Sequence, residues 1–295
     1  MELKCLTEGV YYIPGRTNVG VIQCGGGDVI LVDTGIDSGS GKRILRLLEK
    51  HGLKPVAIVN THFHTDHCGG NRILKEKADV KVYASGIAAT VIKYPFINPF
   101  SLFSGVYPVK DLMNKFVMAQ PSDVDVEIEP GELKIGDAML EIVPLPGHAP
   151  GQVGIVVGDI LFCGDAVFAP EVIERVGIPF NVDIKTEKET LKFLKNTRFS
   201  FYVPSHGEPV EDIGFYVSEN FKQIDKIEKI ILNFLEKEVS SEEVVDHVLS
   251  KIGLKVKATH HYFLIHAGIL AYLSYLYNKD LISLKIDNRP LWKRK

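Results

Sequence analysis

Four times in this 295-residue chain a strand-like run stops at a loop that carries histidine or aspartate. "PVAIVN" runs into "THFHTDHCGG", "AMLEIVPL" into "PGH", "DILFC" into "GD", and "FSFYVP" into "SHG". The first of these is a continuous apolar run of the kind found in a fully buried strand. Side chains on loops at one edge of rigid sheets can converge, so the pattern predicts a sheet fold with one donor-rich site at that edge.

The rest of the chain fits around these strands. "GVYYIP", "NVGVIQC" and "DVILVDTG" read as further strands, punctuated by Gly15 and by the Gly25-Gly26-Gly27 turn. A helix follows, with Ser40 as its cap and Ile44, Leu47 and Leu48 at helical spacing. Residues 85–130 mix aromatics with Pro95, Pro99, Pro108 and Pro121 and show no clean period; they form either a helical excursion or a lid over the donor-bearing edge. Beyond about Gly214 the chain turns helical. Val217, Phe221, Ile224, Ile227, Ile231 and Phe234 mark one face of a long helix, and Ser241 opens a second. Tyr262 to Tyr277 supplies a third; at sixteen residues including His266 it is shorter than a membrane span and reads as a buried helix. The closing "LISLKIDNRPLWKRK" reads as two strands about Asp287-Asn288. Residues 1–214 are therefore expected to form a catalytic domain and 215–295 a small helical, winged-helix-like one.

The stretch from Asn60 to Gly70 holds three histidines and an aspartate within six residues. H-x-H-x-D-H arises by chance in about one chain in two thousand of this length and histidine content. His62 and His64 are two apart and point the same way on an extended loop, so they can hold one ion; Asp66 and His67 can serve a second. Each ion still lacks donors, which His148 and His206 can provide, leaving Asp165 as a bridging oxygen. Gly69 and Gly70 are expected to allow tight packing and positive φ angles beside the ions. His51, His247, His260, His261 and His266 lack partners at ligand spacing and read as surface or core residues.

Cys5, Cys24, Cys68 and Cys163 show no C-x-x-C pairing, which removes a disulfide framework and a thiolate zinc site. Cys68 and Cys163, beside the donors, read as small packing residues. The first residues lack a signal-peptide pattern, so a cytoplasmic protein is expected. A net charge of -3 argues against a globally basic nucleic-acid binder.

The ordered set His62, His64, Asp66, His67, His148, Asp165 and His206, with "DTG" at Asp33 to Gly35 and "GD" at Gly164-Asp165, resembles the metallo-β-lactamase superfamily over roughly residues 8–214. The resemblance implies an α/β fold, a four-layer αββα sandwich with metals at one edge. It further implies that His62, His64 and His148 hold the first metal, Asp66, His67 and His206 the second, and that Asp165 bridges them.

Two divalent ions, zinc foremost with iron or manganese as alternatives, would make a hydroxide at neutral pH. No G-x-S-x-G motif offers a rival nucleophile. Asp66 is expected to orient the nucleophile as well. The chain looks most like the glyoxalase II and lactonase branch, whose substrates are thioesters, esters or lactones, and the aromatic stretch from Tyr94 to Phe116 could wall an apolar acyl group. "NRPLWKRK" reads as a solvated basic tail rather than a glutathione-binding cluster. Three alternatives stay open: a mononuclear iron sulfur dioxygenase using His62, His148 and Asp165; a dimetal nuclease or phosphodiesterase gripping its strand with the basic C-terminus; and a non-enzymatic winged-helix nucleic-acid-binding protein.

Overall fold

The computed structural model describes residues 1–295. Two sheets stack face to face. The first has seven strands in chain order, β1 (Lys4–Thr7), β2 (Val10–Ile13), β3 (Val19–Gln23), β4 (Asp28–Val32), β5 (Lys54–Val59), β6 (Lys81–Ser85) and β7 (Val126–Ile128). The second has five, β8 (Gly131–Ile135), β9 (Ala138–Pro144), β10 (Val153–Val157), β11 (Ile160–Gly164) and β12 (Phe201–Pro204), again as successive neighbours. Helices α1 (Ser38–Lys50), α2 (Thr65–Cys68), α3 (Asn71–Ala78), α4 (Gly86–Lys93) and α5 (Ile97–Leu102) interrupt the first sheet. Helices α6 (Pro170–Val176) and α7 (Ile184–Asn196) interrupt the second. Then come α8 (Gly214–Phe234), α9 (Ser241–Ile252), α10 (Thr259–Asn278) and the hairpin β13 (Ile282–Asp287) with β14 (Arg289–Arg294).

Strand side chains alternate between faces, so a strand apolar at every position must be covered on both sides. In β4, Ile30 and Val32 enter the core between the sheets, while Val29 and Leu31 face the outer core with Ile44 and Leu48 of α1 and Leu74 of α3. In β11, Ile160 and Phe162 point between the sheets; Leu161 and Cys163 point out to Leu191 of α7 and Ile224 of α8. Helices, two sheets and helices again give the expected αββα layering. The outer core of the second sheet continues without a break through α8, α9 and α10 to Trp292 of β14. "NRPLWKRK" is thus a strand anchored by Trp292, whose Nε1 donates to Ser241 Oγ at 3.0 Å, with its basic side chains left exposed.

Strands β4 and β5 run parallel, as do β11 and β12, and β9 reaches the same sense as β11 through two antiparallel steps across β10. The carboxyl ends of the donor-bearing strands within each sheet consequently share an edge.

Two helix starts differ from the sequence expectation. Asp37, not Ser40, caps α1, its Oδ1 accepting from Ser40 N at 2.9 Å. Ser240, not Ser241, caps α9: its Oγ accepts from Glu243 N at 3.3 Å, and Glu243 Oε2 accepts from Ser240 N at 2.8 Å. In both cases an earlier cap-forming residue, three positions before Ser40 and one before Ser241, satisfies free N–H groups of the first turn. Removing this reciprocal pair with Ser240→Ala should cost about 1 kcal/mol of stability. Urea unfolding measures this directly, and an unchanged midpoint would show that α9 does not depend on its cap. Helix α10 is buried through Ile265, Ile269, Leu273 and Leu276, and no helix is long and apolar enough to cross a membrane.

Candidate metal centre

The loop after β5 changes conformation in mid-motif. His64 is still extended, at φ −64° and ψ 149°, and then Thr65 to Cys68 form the single helical turn of α2. Extended backbone sends His62 and His64 to one side, and the turn swings Asp66 and His67 to the other. The turn is pressed tightly against its surroundings. A Cβ on Gly69 would lie 2.1 Å from Ile36 O, and one on Gly70 2.4 Å from Thr34 O. The expected positive φ angles are absent: Gly69 is at φ −63° and Gly70 at −86°. Close approach of backbone, rather than left-handed conformation, is what requires glycine there.

All seven predicted donors come together. His64 Nδ1 stands 3.0 Å from His62 Nε2 and 2.8 Å from His148 Nε2. Asp66 Oδ2 stands 3.7 Å from His67 Nε2 and 3.4 Å from His206 Nε2. Asp165 lies between the groups: Oδ1 is 3.4 Å from His67 Nε2, and Oδ2 is 3.4 Å from His148 Nε2 and 3.3 Å from His206 Nε2. Within each of the sets His62/His64/His148, His62/His67/Asp165 and Asp66/His67/His206, the donor atoms lie within 4.8 Å of one another. The five other histidines join none of these groups. Nor do Cys68 and Cys163; both are buried, and burial pushes the Cys163 thiol up to about 12, which fits packing residues.

The outer ring nitrogens decide which atoms are free to ligate. His62 Nδ1 meets Thr61 Oγ1 at 3.1 Å; that hydroxyl donates to Asp33 Oδ2 at 2.8 Å and so accepts from the histidine. His67 Nδ1 donates to Asp33 Oδ2 at 2.8 Å, His148 Nδ1 to Phe180 O at 2.6 Å, and His206 Nδ1 to Arg16 O. Each of these rings therefore presents Nε2 to the centre, as a lone pair once neutral, while His64 alone presents Nδ1. Asp33 was visible in the sequence only as part of "DTG". Its role comes from position: at φ 64° beyond β4, 1% exposed, it also accepts from Thr61 N at 2.9 Å.

Burial, then the neighbouring His67 and His64, holds His62 well below the usual histidine range, and burial with His148 brings His64 to about 3. For His67 and His206 burial acts downward but loses to Asp165 and Asp66; His67 is held well above its ordinary value and His206 at about 10. Burial pushes Asp165 upward, yet His206, His67 and His148 outweigh it and keep the carboxylate charged. Anionic oxygens thus face nitrogens that must hold either a proton or a cation. His67 Nε2 and Asp165 Oδ1 are buried and make no hydrogen bond. Unpaired lone pairs of this type, converging with imidazoles and carboxylates, suit a divalent ion.

Access is one-sided. His62, His67, His148 and Asp165 are buried, whereas His64, Asp66 and His206 are partly open. Phe180 lies against His64 and His148, Phe63 against His64, and Phe168 against His148 and His206, with ring centroids 5.0–6.0 Å apart. These three rings, which carried no sequence signal, form the apolar collar. Aromatics of the 94–116 stretch contact α10 instead, Phe103 on Phe263 and Phe116 stacked on His260.

Comparison with known proteins agrees with this geometry. The probable metallo-hydrolase YqgX of Bacillus subtilis is 32% identical over 181 residues, 59% of this chain and 79% of that protein. Hydroxyacylglutathione hydrolase 1 of Vibrio vulnificus is 27% identical over 201 residues, 68% of this chain and 66% of that enzyme. A metallo-beta-lactamase family protein of Thermus thermophilus, 19% identical, superposes with a TM-score of 0.78 over 99% of this chain and 100% of that one, so the likeness in fold runs through the C-terminal helices. Residues 12–206 match the metallo-beta-lactamase superfamily, and the chain belongs to that superfamily as a hydrolase of its fold.

Proposed function

We propose that the protein hydrolyses an ester, thioester or lactone with two divalent ions, zinc foremost, held by His62, His64 and His148 on one side and by Asp66, His67 and His206 on the other, with Asp165 shared. The observation that carries this reading is the placement of Asp165, whose Oδ2 lies 3.4 Å from His148 Nε2 of the first group and 3.3 Å from His206 Nε2 of the second, with Oδ1 3.4 Å from His67 Nε2. Ions so placed would supply Lewis acidity and a hydroxide at neutral pH. The chain does the rest. Asp66, 32% exposed and fixed by Thr17 Oγ1 at 3.0 Å, sits on the open side where it orients the attacking water. Phe63, Phe168 and Phe180 exclude bulk water and favour an acyl group over a highly charged substrate. The name of the Vibrio relative, which denotes cleavage of an acyl-glutathione, supports a carbonyl substrate.

On this reading residues 1–214 carry the chemistry, and residues 85–130 cover the metal loop, since Phe63 packs with Ala88, Ala89, Ile92 and Ala119. The deciding experiment is elemental analysis of unchelated protein, followed by assay on a thioester, a lactone and a phosphodiester. About two zinc or manganese per chain with acyl hydrolysis supports the proposal. About one iron per chain without hydrolysis, or phosphodiester cleavage alone, overturns it.

Loading also has a proton signature. Because His67 and His206 are raised in the ion-free protein, metal must displace a proton from each, and binding should release at least about two protons per chain at pH 7, with a further one from the water that becomes hydroxide. Affinity then weakens as pH falls, since protons compete for the same nitrogens. Calorimetry in buffers of different protonation enthalpy reads this out; identical heats in all of them would contradict the assignment.

A further inference from the structure

The loop Pro146–Gly147–His148 is held by the segment Phe180–Asp183 leading into α7 and by α7 itself. Thr190 Oγ1 donates to Pro146 O at 2.6 Å, Val182 N and Asp183 N donate to Gly147 O at 3.0 and 3.1 Å, and Phe180 O accepts from His148 Nδ1 at 2.6 Å. Asp183, Glu187 and Thr190 are spaced four and three apart and so share one helix face. Glu187, in the middle, is 1% exposed. Its carboxyl has no cation within ion-pairing distance, and Oε2 has no hydrogen-bond partner. The backbone of Gly147 rests directly on it: at φ 131°, a Cβ on Gly147 would lie 2.5 Å from Glu187 Oε2 and 2.6 Å from Glu187 Cα. Gly147 N and His148 N, in turn, have no backbone acceptor.

A carboxyl in such a place is an expensive choice. An apolar side chain of similar volume would fill the space without loss of hydration, and burial with the nearby Asp165 charge pushes the Glu187 carboxyl well above its ordinary range. Groups kept at a cost to stability beside a site are candidates for a role in that site.

We infer that Glu187 is a positioning residue for His148, its buried carboxyl setting the height and orientation of the 146–148 loop and thereby the aim of His148 Nε2 at the first donor group. The inference rests on the two-metal reading above. It assigns to Glu187 control chiefly of the first ion, because Glu187 packs on Gly147 next to His148, whereas His67, Asp66 and His206 are held by Asp33, Thr17 and Arg16 respectively.

The test uses the metal-loaded full-length protein and chelator competition, with metal content and thermal midpoint as readouts. Glu187→Leu should fold with an equal or higher midpoint, yet hold the His62/His64/His148 ion about ten- to a hundredfold more weakly, while the other ion keeps its affinity. Glu187→Gln, which keeps shape and polarity, should restore affinity to within about threefold of the parent. Cobalt substitution would show the same split as loss of one of two sets of absorption bands. Parental affinity for both ions in Glu187→Leu overturns the inference, as does equal loss of both ions with a lowered midpoint, the mark of a purely structural role. If Glu187→Leu fails to fold, Glu187→Met, of similar length and without a hydrogen-bonding group, takes its place under the same criteria. Failure of the parent protein to bind two ions would instead sink the functional proposal itself.

Discussion

Asp165→Ala is expected to lower turnover at least a hundredfold and to bring metal content below two ions per chain. A hundredfold loss corresponds to about 2.7 kcal/mol of transition-state stabilisation. The size follows from the geometry. Asp165 is 4% exposed, and its two oxygens face His67 on one side and His148 and His206 on the other, so no neighbouring carboxylate can take over both contacts. Truncation also removes the anion that most strongly raises His67 and His206, so the centre loses negative charge that would offset two cations held close together. A control separates this from general damage. His247 of α9 stacks on Phe234 at 4.0 Å and belongs to no donor group, so His247→Ala should leave turnover unchanged. Parental turnover in purified Asp165→Ala would falsify the two-metal assignment.

What was legible in the sequence was whatever leaves a local trace. The run "PVAIVN" and the H-x-H-x-D-H after it lie within a few residues of each other, so strand, loop and ligand set could be read together. His148, Asp165 and His206 were found because each closes a strand-like run, and the fold places all of them within reach of the first loop. The layers were legible because β4 and β11 are apolar at successive positions, which demands cover on both faces. The misses are of a different kind. Gly69 and Gly70 looked like turn glycines, yet their need arises from the carbonyls of Ile36 and Thr34, more than thirty residues away in sequence, and no local pattern records such an approach. Phe63, Phe168 and Phe180 meet around the histidines from separate loops. The aromatic stretch at 94–116 is denser and drew attention first, although its rings pair with Phe263 and His260. The caps shifted because Asp37 lies three residues before Ser40 and Ser240 one before Ser241, all cap-forming types, and only backbone conformation separates a cap from the first helical positions.

The residue with the largest unread role is Asp33, and its removal should damage folding and function together. Its carboxylate accepts from His67 Nδ1 at 2.8 Å, Thr61 N at 2.9 Å and Thr61 Oγ1 at 2.8 Å, with Asn60 Nδ2 at 3.4 Å. Asp33→Ala strands these buried donors, each worth about 1–3 kcal/mol when left unpaired, so a net loss of roughly 3–5 kcal/mol is expected. The backbone adds to this: at φ 64° aspartate is tolerated in a left-handed conformation that alanine resists by about 1–2 kcal/mol. Asp33→Asn separates the two effects. It keeps the size and the left-handed tolerance, so folding should suffer less. Its amide nevertheless presents N–H groups to donors, frees His67 to turn its ring, and should weaken metal binding about ten- to a hundredfold. Thermal unfolding and chelator competition on the two variants would show alanine failing in both measurements and asparagine chiefly in the second. If asparagine bound metal as the parent does, His67 would have to be aimed by packing against His62, whose ring lies 3.9 Å from its own, and not by the carboxylate behind it.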